Sequence, residues 1–203
     1  DAFTIIDKIY RTKSGNKQLS KVESHTIHYG YIVDKDEIID EVMVLLMRGP
    51  KSYTREDVIE IDCHGGIVVT KKILDVVLKA GARIAEPGEF TKRAFLNGRL
   101  DLSQAEAIID MIKAKTDKSF EASLNQLEGS LSTKIKEIRN ILLKMIAHVE
   151  VSIDFPDQDI EEVTYDELLA DGNSVRDEIE KLIATSDRGK ILRDGLNTVI
   201  LGK

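Results

Sequence analysis

The sequence predicts an α+β domain followed by an α-helical bundle, and three observations carry that prediction. Up to about residue 98, short β-branched runs alternate with stretches of helical spacing. From Asp101 onward, apolar residues recur three or four apart through most of the remaining chain. Then Asn197–Lys203 (N-T-V-I-L-G-K) returns to a short apolar, β-branched run. Such a run reads as a buried strand, and a helical bundle offers it no backbone partner. The expected organisation is therefore an α+β domain over 1–98, helices over 99–196, and over 197–203 a strand that joins something else.

Taken in order, Phe3, Ile6 and Ile9 are spaced for one helical face within Asp1–Tyr10. His25–Val33, Ile38–Met47 and Thr54–Cys63 read as strands. Gly65–Gly66 introduces a helix over Ile67–Ala80, and Gly81 is placed to end it. Asp101 with Gln104 forms an Asp-type capping box that opens a helix through Ala105, Ile108, Ile109 and Ile112. From Phe120 through Leu127, Leu131, Ile138 and Met145 to Val149 a single apolar stripe predicts one long helix, stopped by Pro156. A last helix is expected over about Tyr165–Ser186, weakened early by Gly172.

The 203 residues can bury a real core. A hydrophobic fraction of 42% and a charged fraction of 32% are those of an ordinary globular protein. Runs such as Val42–Met47 are far too short to span a bilayer, so no membrane association is expected. The start at Asp1 lacks the basic and apolar regions of a signal peptide, and the absence of Met suggests residues upstream. One cysteine, Cys63, excludes an internal disulfide and fits a reducing cytoplasm. A net charge of −7 argues against wrapping nucleic acid by bulk electrostatics, though a small basic patch can still touch a tRNA. The acidic stretch Glu150–Asp171 contains D-x-D-x-E at Asp157, Asp159 and Glu161. It lacks the Gly and terminal Glu of a calcium loop and reads as a solvated acidic loop.

Two stretches hold the residue types that chemistry needs. In V-I-E-I-D-C-H-G-G, Val58–Gly66, strand alternation puts Ile59, Ile61 and Cys63 on one face and Glu60, Asp62 and His64 on the other. Cys63 and His64 then point apart, a poor nucleophile–base pair. The polar face is either solvent-facing or the wall of a pocket. In the second stretch, Pro87–Gly88 and Asn97–Gly98 are turns, and Arg99 follows the second directly. A guanidinium so placed can grip a carboxylate or carbonyl, or pair with a surface acid to little effect. The histidines at 25, 28, 64 and 148 form no metal-ligand cluster.

Three segments together carry a resemblance. They are S-Y-T-R-E-D-V-I-E-I-D-C-H-G-G (52–66), P-G-E-F-T-K-R-A-F-L-N-G-R-L-D-L-S-Q-A-E-A-I-I-D-M-I (87–112) and I-D-F-P-D-Q-D-I (153–160). In this order, and over essentially the whole chain, they resemble the MnmE (TrmE) family of tRNA-modification GTPases. The resemblance implies an N-terminal domain over 1–98 similar to the tetrahydrofolate-binding domains of one-carbon enzymes, which also makes a homodimer contact. Residues 99–196 would be the first part of a helical domain. Residues 197–203 would be the first strand of an inserted Ras-like α/β GTPase domain, with Gly202 the first glycine of its phosphate loop.

By the same resemblance, Glu60 and Arg99 would bind a 5-formyl- or 5,10-methylene-tetrahydrofolate. A carboxylate on a strand can accept the paired N–H groups of a pterin's amine edge. Two further family contacts, an Arg ahead of Asp1 and a basic residue near a C-terminal Cys motif, would fall outside this sequence, and Cys63 is not that motif's cysteine. GTP, Mg²⁺ and K⁺ would be bound only through the GTPase domain, and no residue here would break a bond. With a flavin-dependent MnmG-type partner, the whole protein would place an aminomethyl or carboxymethylaminomethyl group on the wobble uridine of tRNA in the cytoplasm. The alternative is a dimerisation scaffold with a degenerate folate pocket.

Overall fold

A computed structural model describes residues 1–15, 17–154, 165–195 and 198–202. The chain divides into two units, Asp1–Leu100 and Asp101–Lys203. In the first, helix α1 (Ala2–Ile9) leads directly into strand β1 (Tyr10–Arg11). Strands β2 (Thr26–Asp34), β3 (Glu37–Met47) and β4 (Val58–Asp62) follow, and then helices α2 (Ile67–Lys79) and α3 (Glu89–Leu96). The sheet is antiparallel throughout, in the order β1-β2-β3-β4.

One sheet face holds the core. Val42, Val44 and Leu46 of β3 point into it with Ile32 and Tyr10. Helix α1 covers them with Phe3, Ile6 and Ile9, the stripe its spacing predicts, and α2 adds Ile73 and Val76. Ile59, Ile61 and Cys63 pack against the same cluster, so the alternation expected along β4 is realised. Asp7 ties the following loop to α1. Its carboxylate accepts the Leu19 N–H at 2.6 Å and the Ser20 hydroxyl.

Two expectations for this unit need correction. The strand expected from Thr54 begins only at Val58, because residues 52–56 close a turn. There the Ser52 hydroxyl donates to the Glu56 carbonyl at 2.6 Å, and Arg55 takes a left-handed φ of 59°. Between the two predicted turns, helix α3 had no counterpart in the sequence reading.

The second unit is helical: α4 (Leu102–Lys113), α5 (Asp117–Leu127), α6 (Ser130–Asp154) and α7 (Tyr165–Asp194). The Asp101–Gln104 capping box forms in both directions, each bond 3.0 Å long. The single long stripe is instead two helices. Gly129 (φ 93°) breaks it, and the Leu127 carbonyl at the break accepts the Gln104 amide at 2.8 Å. The side chains repeat at helical spacing on both sides of the break, which is why the pattern reads as continuous. Helix α7 runs on to Asp194, well past Ser186. Its Gly172 leaves a gap that the Met145 Cε of α6 approaches, 3.7 Å from where a β-carbon would stand. Pro156 and the Asp157, Asp159, Glu161 cluster lie outside the described residues.

At the end of the chain, residues 198–202 form no strand, and Val199, Ile200 and Leu201 are almost fully exposed. Of the strand expected over 197–203, the described residues 198–202 form none. A three-residue apolar run with no ladder beside it has nothing to hold it extended.

Candidate functional site

Register places Glu60 on the sheet's second face. Paired residues of an antiparallel ladder share a face. Ile27, Leu45 and Glu60 thus form one row across β2, β3 and β4. Tyr29, Met43 and Asp62 form the next, and Arg11, Tyr31 and Glu41 a third. This face lies opposite the core, and neither α1 nor α2 covers it. Ile27 is 63% and Tyr29 58% exposed. The Glu60 carboxylate is exposed too, and it makes no ion pair or hydrogen bond among the described residues. Across the second and third rows, the Tyr29 and Tyr31 hydroxyls donate to Glu41, holding its carboxyl below the usual carboxylate range. The same bond to Glu41 pushes the Tyr29 phenol up to about 12.

His64 departs from the face expected for it. β4 ends at Asp62, so alternation no longer applies, and His64 turns to Asp40, on the core side of β3. The backbone N–H of His64 reaches Asp40 Oδ2 at 2.8 Å, and its ring Nδ1 reaches Oδ1 at 2.9 Å. Burial pushes the Asp40 carboxyl up. The bonds from His64 and from the Glu41 N–H outweigh that, and the net direction is down. Bonded through Nδ1 to Asp40, the imidazole keeps Nε2 for any other contact.

Arg99 sits at the end of a braced loop. Its backbone N–H donates to the Ala94 carbonyl at 2.9 Å, and its guanidinium lies 4.6 Å from the centre of the Tyr53 ring. The Tyr53 hydroxyl shares a hydrogen bond of 3.2 Å with Thr91 of α3. Asn97 Nδ2 donates to the Thr54 carbonyl at 2.7 Å, and Arg55 Nη1 to the Asn97 carbonyl at 3.0 Å. Helix α3 is fixed at its start by Glu89. Arg83 grips both Glu89 oxygens, at 2.8 and 2.5 Å, and the Glu86 N–H donates to Oε2 at 2.8 Å.

The predicted pair is therefore present in one unit, but no hydrogen bond or ion pair joins Glu60 to Arg99. Tyr53, Arg55 and Asp40 are the partners that sequence spacing did not reveal. Gly202, the expected first glycine of a phosphate loop, is exposed and outside any strand. Among the described residues no His, Cys, Asp or Glu group is set to hold a metal ion, and no helix is long and apolar enough to cross a membrane. In the helical unit, an apolar hollow of about 320 Å³ lies against α6 and α7, lined by Leu142, Met145, Ile146, Val149 and Leu168. It offers polar ligands only Glu150.

Comparison with known proteins agrees across both units. Residues 1–99 match the family model described as the GTP-binding protein TrmE N-terminus, and residues 102–198 match that of the MnmE helical domain. The tRNA modification GTPase MnmE of Bacillus subtilis is 55% identical over the whole of this chain, which covers 45% of that protein. Proteins of the same name from Alkaliphilus oremlandii and Enterococcus faecalis are 56% and 57% identical, each covered to 44%. The chain thus spans somewhat less than half the length of these relatives. With one model matched by each half and relatives of one name along its full length, the chain belongs to the MnmE (TrmE) family, as its N-terminal domain and helical-domain sequence.

Proposed function

We propose that this chain is the cofactor-binding and dimerisation part of a tRNA-modification GTPase. In this reading the N-terminal unit binds a tetrahydrofolate one-carbon donor, 5-formyl- or 5,10-methylene-tetrahydrofolate, through Glu60 and Arg99. The whole protein works in the cytoplasm with a flavin-dependent MnmG-type partner, adding an aminomethyl or carboxymethylaminomethyl group at the wobble uridine of tRNA. GTP, Mg²⁺ and K⁺ belong to a GTPase domain whose phosphate loop starts at Gly202. No residue described here breaks a bond.

The observation that carries the folate reading is the chemistry of two free groups. Glu60 is an unpartnered acceptor held on a strand, suited to the adjacent N–H donors of a pterin edge. Arg99 is a cation stacked on Tyr53 with no acid partner among the described residues, suited to a carbonyl or carboxylate. The donor set fits a folate, whose bound form would supply the one-carbon unit. The expected result is that 5-formyltetrahydrofolate binds the wild-type chain and Glu60→Ala weakens it ten-fold or more. A carboxylate lost from a charge-assisted pair is worth roughly 1.5–3 kcal/mol. Isothermal titration checks this, and equal affinities for the two proteins would reject it.

Dimerisation is supported by the open sheet face. Ile27, Tyr29 and Met43 are large, apolar and exposed together on it, the composition of a surface that another protein covers. A second copy laid there would also wall in Glu60, which shares the row of Ile27 and Leu45. Ile27→Lys is expected to raise the dimer dissociation constant by at least about ten-fold, read by analytical ultracentrifugation. A pure scaffold with a degenerate pocket is the second reading, favoured by the exposure of the Glu60 carboxylate. A chain that dimerises yet binds no folate would establish it.

A further inference from the structure

We propose that Arg55 joins Arg99 in a clasp for the carboxylates of a folate's glutamate tail, so that this chain prefers polyglutamated to monoglutamated folate. The proposal rests on the folate reading above and extends it to a residue and a substrate form.

Two guanidinium groups converge on one turn. Arg55 Nη1 is bonded to the Asn97 carbonyl at 3.0 Å and stands 3.5 Å from where a β-carbon on Gly98 would lie. Arg99 is the next residue of that turn, and its guanidinium rests on Tyr53, two residues before Arg55. Both cations are therefore fixed to one frame of residues 53–55 and 97–99, tied by the Asn97 bond to the Thr54 carbonyl.

Neither cation has an acid partner among the described residues. Arg83 holds Glu89, and Arg93 holds Glu56 at 3.1 Å, so the acid next to Arg55 in sequence is already engaged elsewhere. No ion pair reaches Arg55 or Arg99 among the described residues. Like charges gathered without a counter-ion repel, and a bound anion reverses the sign of that interaction. Arg55 also keeps a left-handed φ of 59°, a conformation non-glycine residues adopt at a cost, and such outliers gather at ligand sites.

The shape of the anion follows from the donors. A guanidinium has five N–H donors in a planar fork that matches a carboxylate. Arg55 commits one arm to Asn97 and keeps the rest. A folate carries two carboxylates on its first glutamate and one more for each γ-linked glutamate added. One cation meets the first residue of the tail, and a second beside it meets the next. Each guanidinium already has a fixed contact, Arg55 with the Asn97 carbonyl and Arg99 with the Tyr53 ring, which lowers the ordering needed to meet a ligand.

The test compares 5-formyltetrahydrofolate monoglutamate and triglutamate by calorimetry on the wild-type chain, at low and at high salt. The triglutamate is expected to bind about five-fold tighter at low salt, the upper range for solvent-exposed charge pairs, with the advantage shrinking as salt screens it. Arg55→Asn, whose new residue tolerates a left-handed backbone, should reduce that advantage to less than about two-fold. Glu60→Ala should weaken both ligands by the same factor. Folates that bind through Glu60 but with no preference between tail lengths overturn the clasp and leave the folate reading standing. Absence of any folate binding overturns both. Loss of tRNA binding in Arg55→Asn, with tail preference intact, would assign the pair to phosphate and overturn the proposal.

Discussion

Gly30→Ala is expected to destabilise the N-terminal unit by about 3 kcal/mol, the upper end of what over-packing a filled site costs. Gly30 lies within β2 opposite Val42, at an ordinary extended conformation, so its role is space rather than backbone freedom. A β-carbon there would stand 2.4 Å from the Arg11 carbonyl oxygen and 2.6 Å from two ring atoms of Tyr10. One obstacle is backbone and the other is a fully buried ring, so neither swings aside. Tyr10 is also pinned by its hydroxyl, which donates to the Tyr29 carbonyl at 2.8 Å. The strain therefore passes into β1 and the end of α1, where Ile9 and Ile6 fill the core. Urea denaturation followed by circular dichroism checks the size of the loss. Tyr10→Phe, which removes only the hydroxyl bond, should cost about 1 kcal/mol. A Gly30→Ala midpoint equal to wild type would show that β1 can slide outward, contrary to this account.

That clash illustrates where the sequence was readable and where it was not. Local signals were legible. The stripe Phe3, Ile6, Ile9 gave α1, the alternation around Glu60 gave the faces of β4, and Asp101 with Gln104 gave the start of α4. Each is a pattern that one element completes within a few residues. Long-range closures were not legible. The eight residues of α3 sit between two turn signals and owe their order to Arg83, Tyr53 and Asn97, contacts that no periodicity records. Gly129 breaks α5 from α6 without disturbing the apolar spacing, so the stripe concealed the break. At the candidate site, Glu60 and Arg99 were found as individuals. What holds Arg99, the Tyr53 ring, and what draws His64 away, Asp40, lie far off in sequence. A site assembled from strand, loop and turn is written in the sequence as side-chain types but not as pairings.

Glu89→Gln removes the anchor of α3 and with it an acid-sensitive part of the unit's stability. Burial to a tenth of side-chain exposure works against the carboxylate, but Arg83 and the Glu86 N–H favour it more, and the Glu89 carboxyl falls from an ordinary 4.5 to about 2. Because the folded value lies below the unfolded one, its contribution is complete above about pH 4.5 and is lost as pH falls toward 2. Wild type and Glu89→Gln should therefore differ most at neutral pH and converge near pH 2, as read by thermal unfolding across that range. The neutral amide can still accept from one Arg83 nitrogen, but it cannot accept at two oxygens or balance the charge. Arg83 and Arg93, 4.0 Å from Glu89 Oε1, would then face each other without the shared anion. The start of α3 loosens, Thr91 moves from Tyr53, and Arg99 loses its platform. Folate affinity should fall in Glu89→Gln although Glu89 touches no ligand. A variant that kept wild-type affinity while losing stability at pH 7 would place the anchor in the fold alone, with no bearing on Arg99.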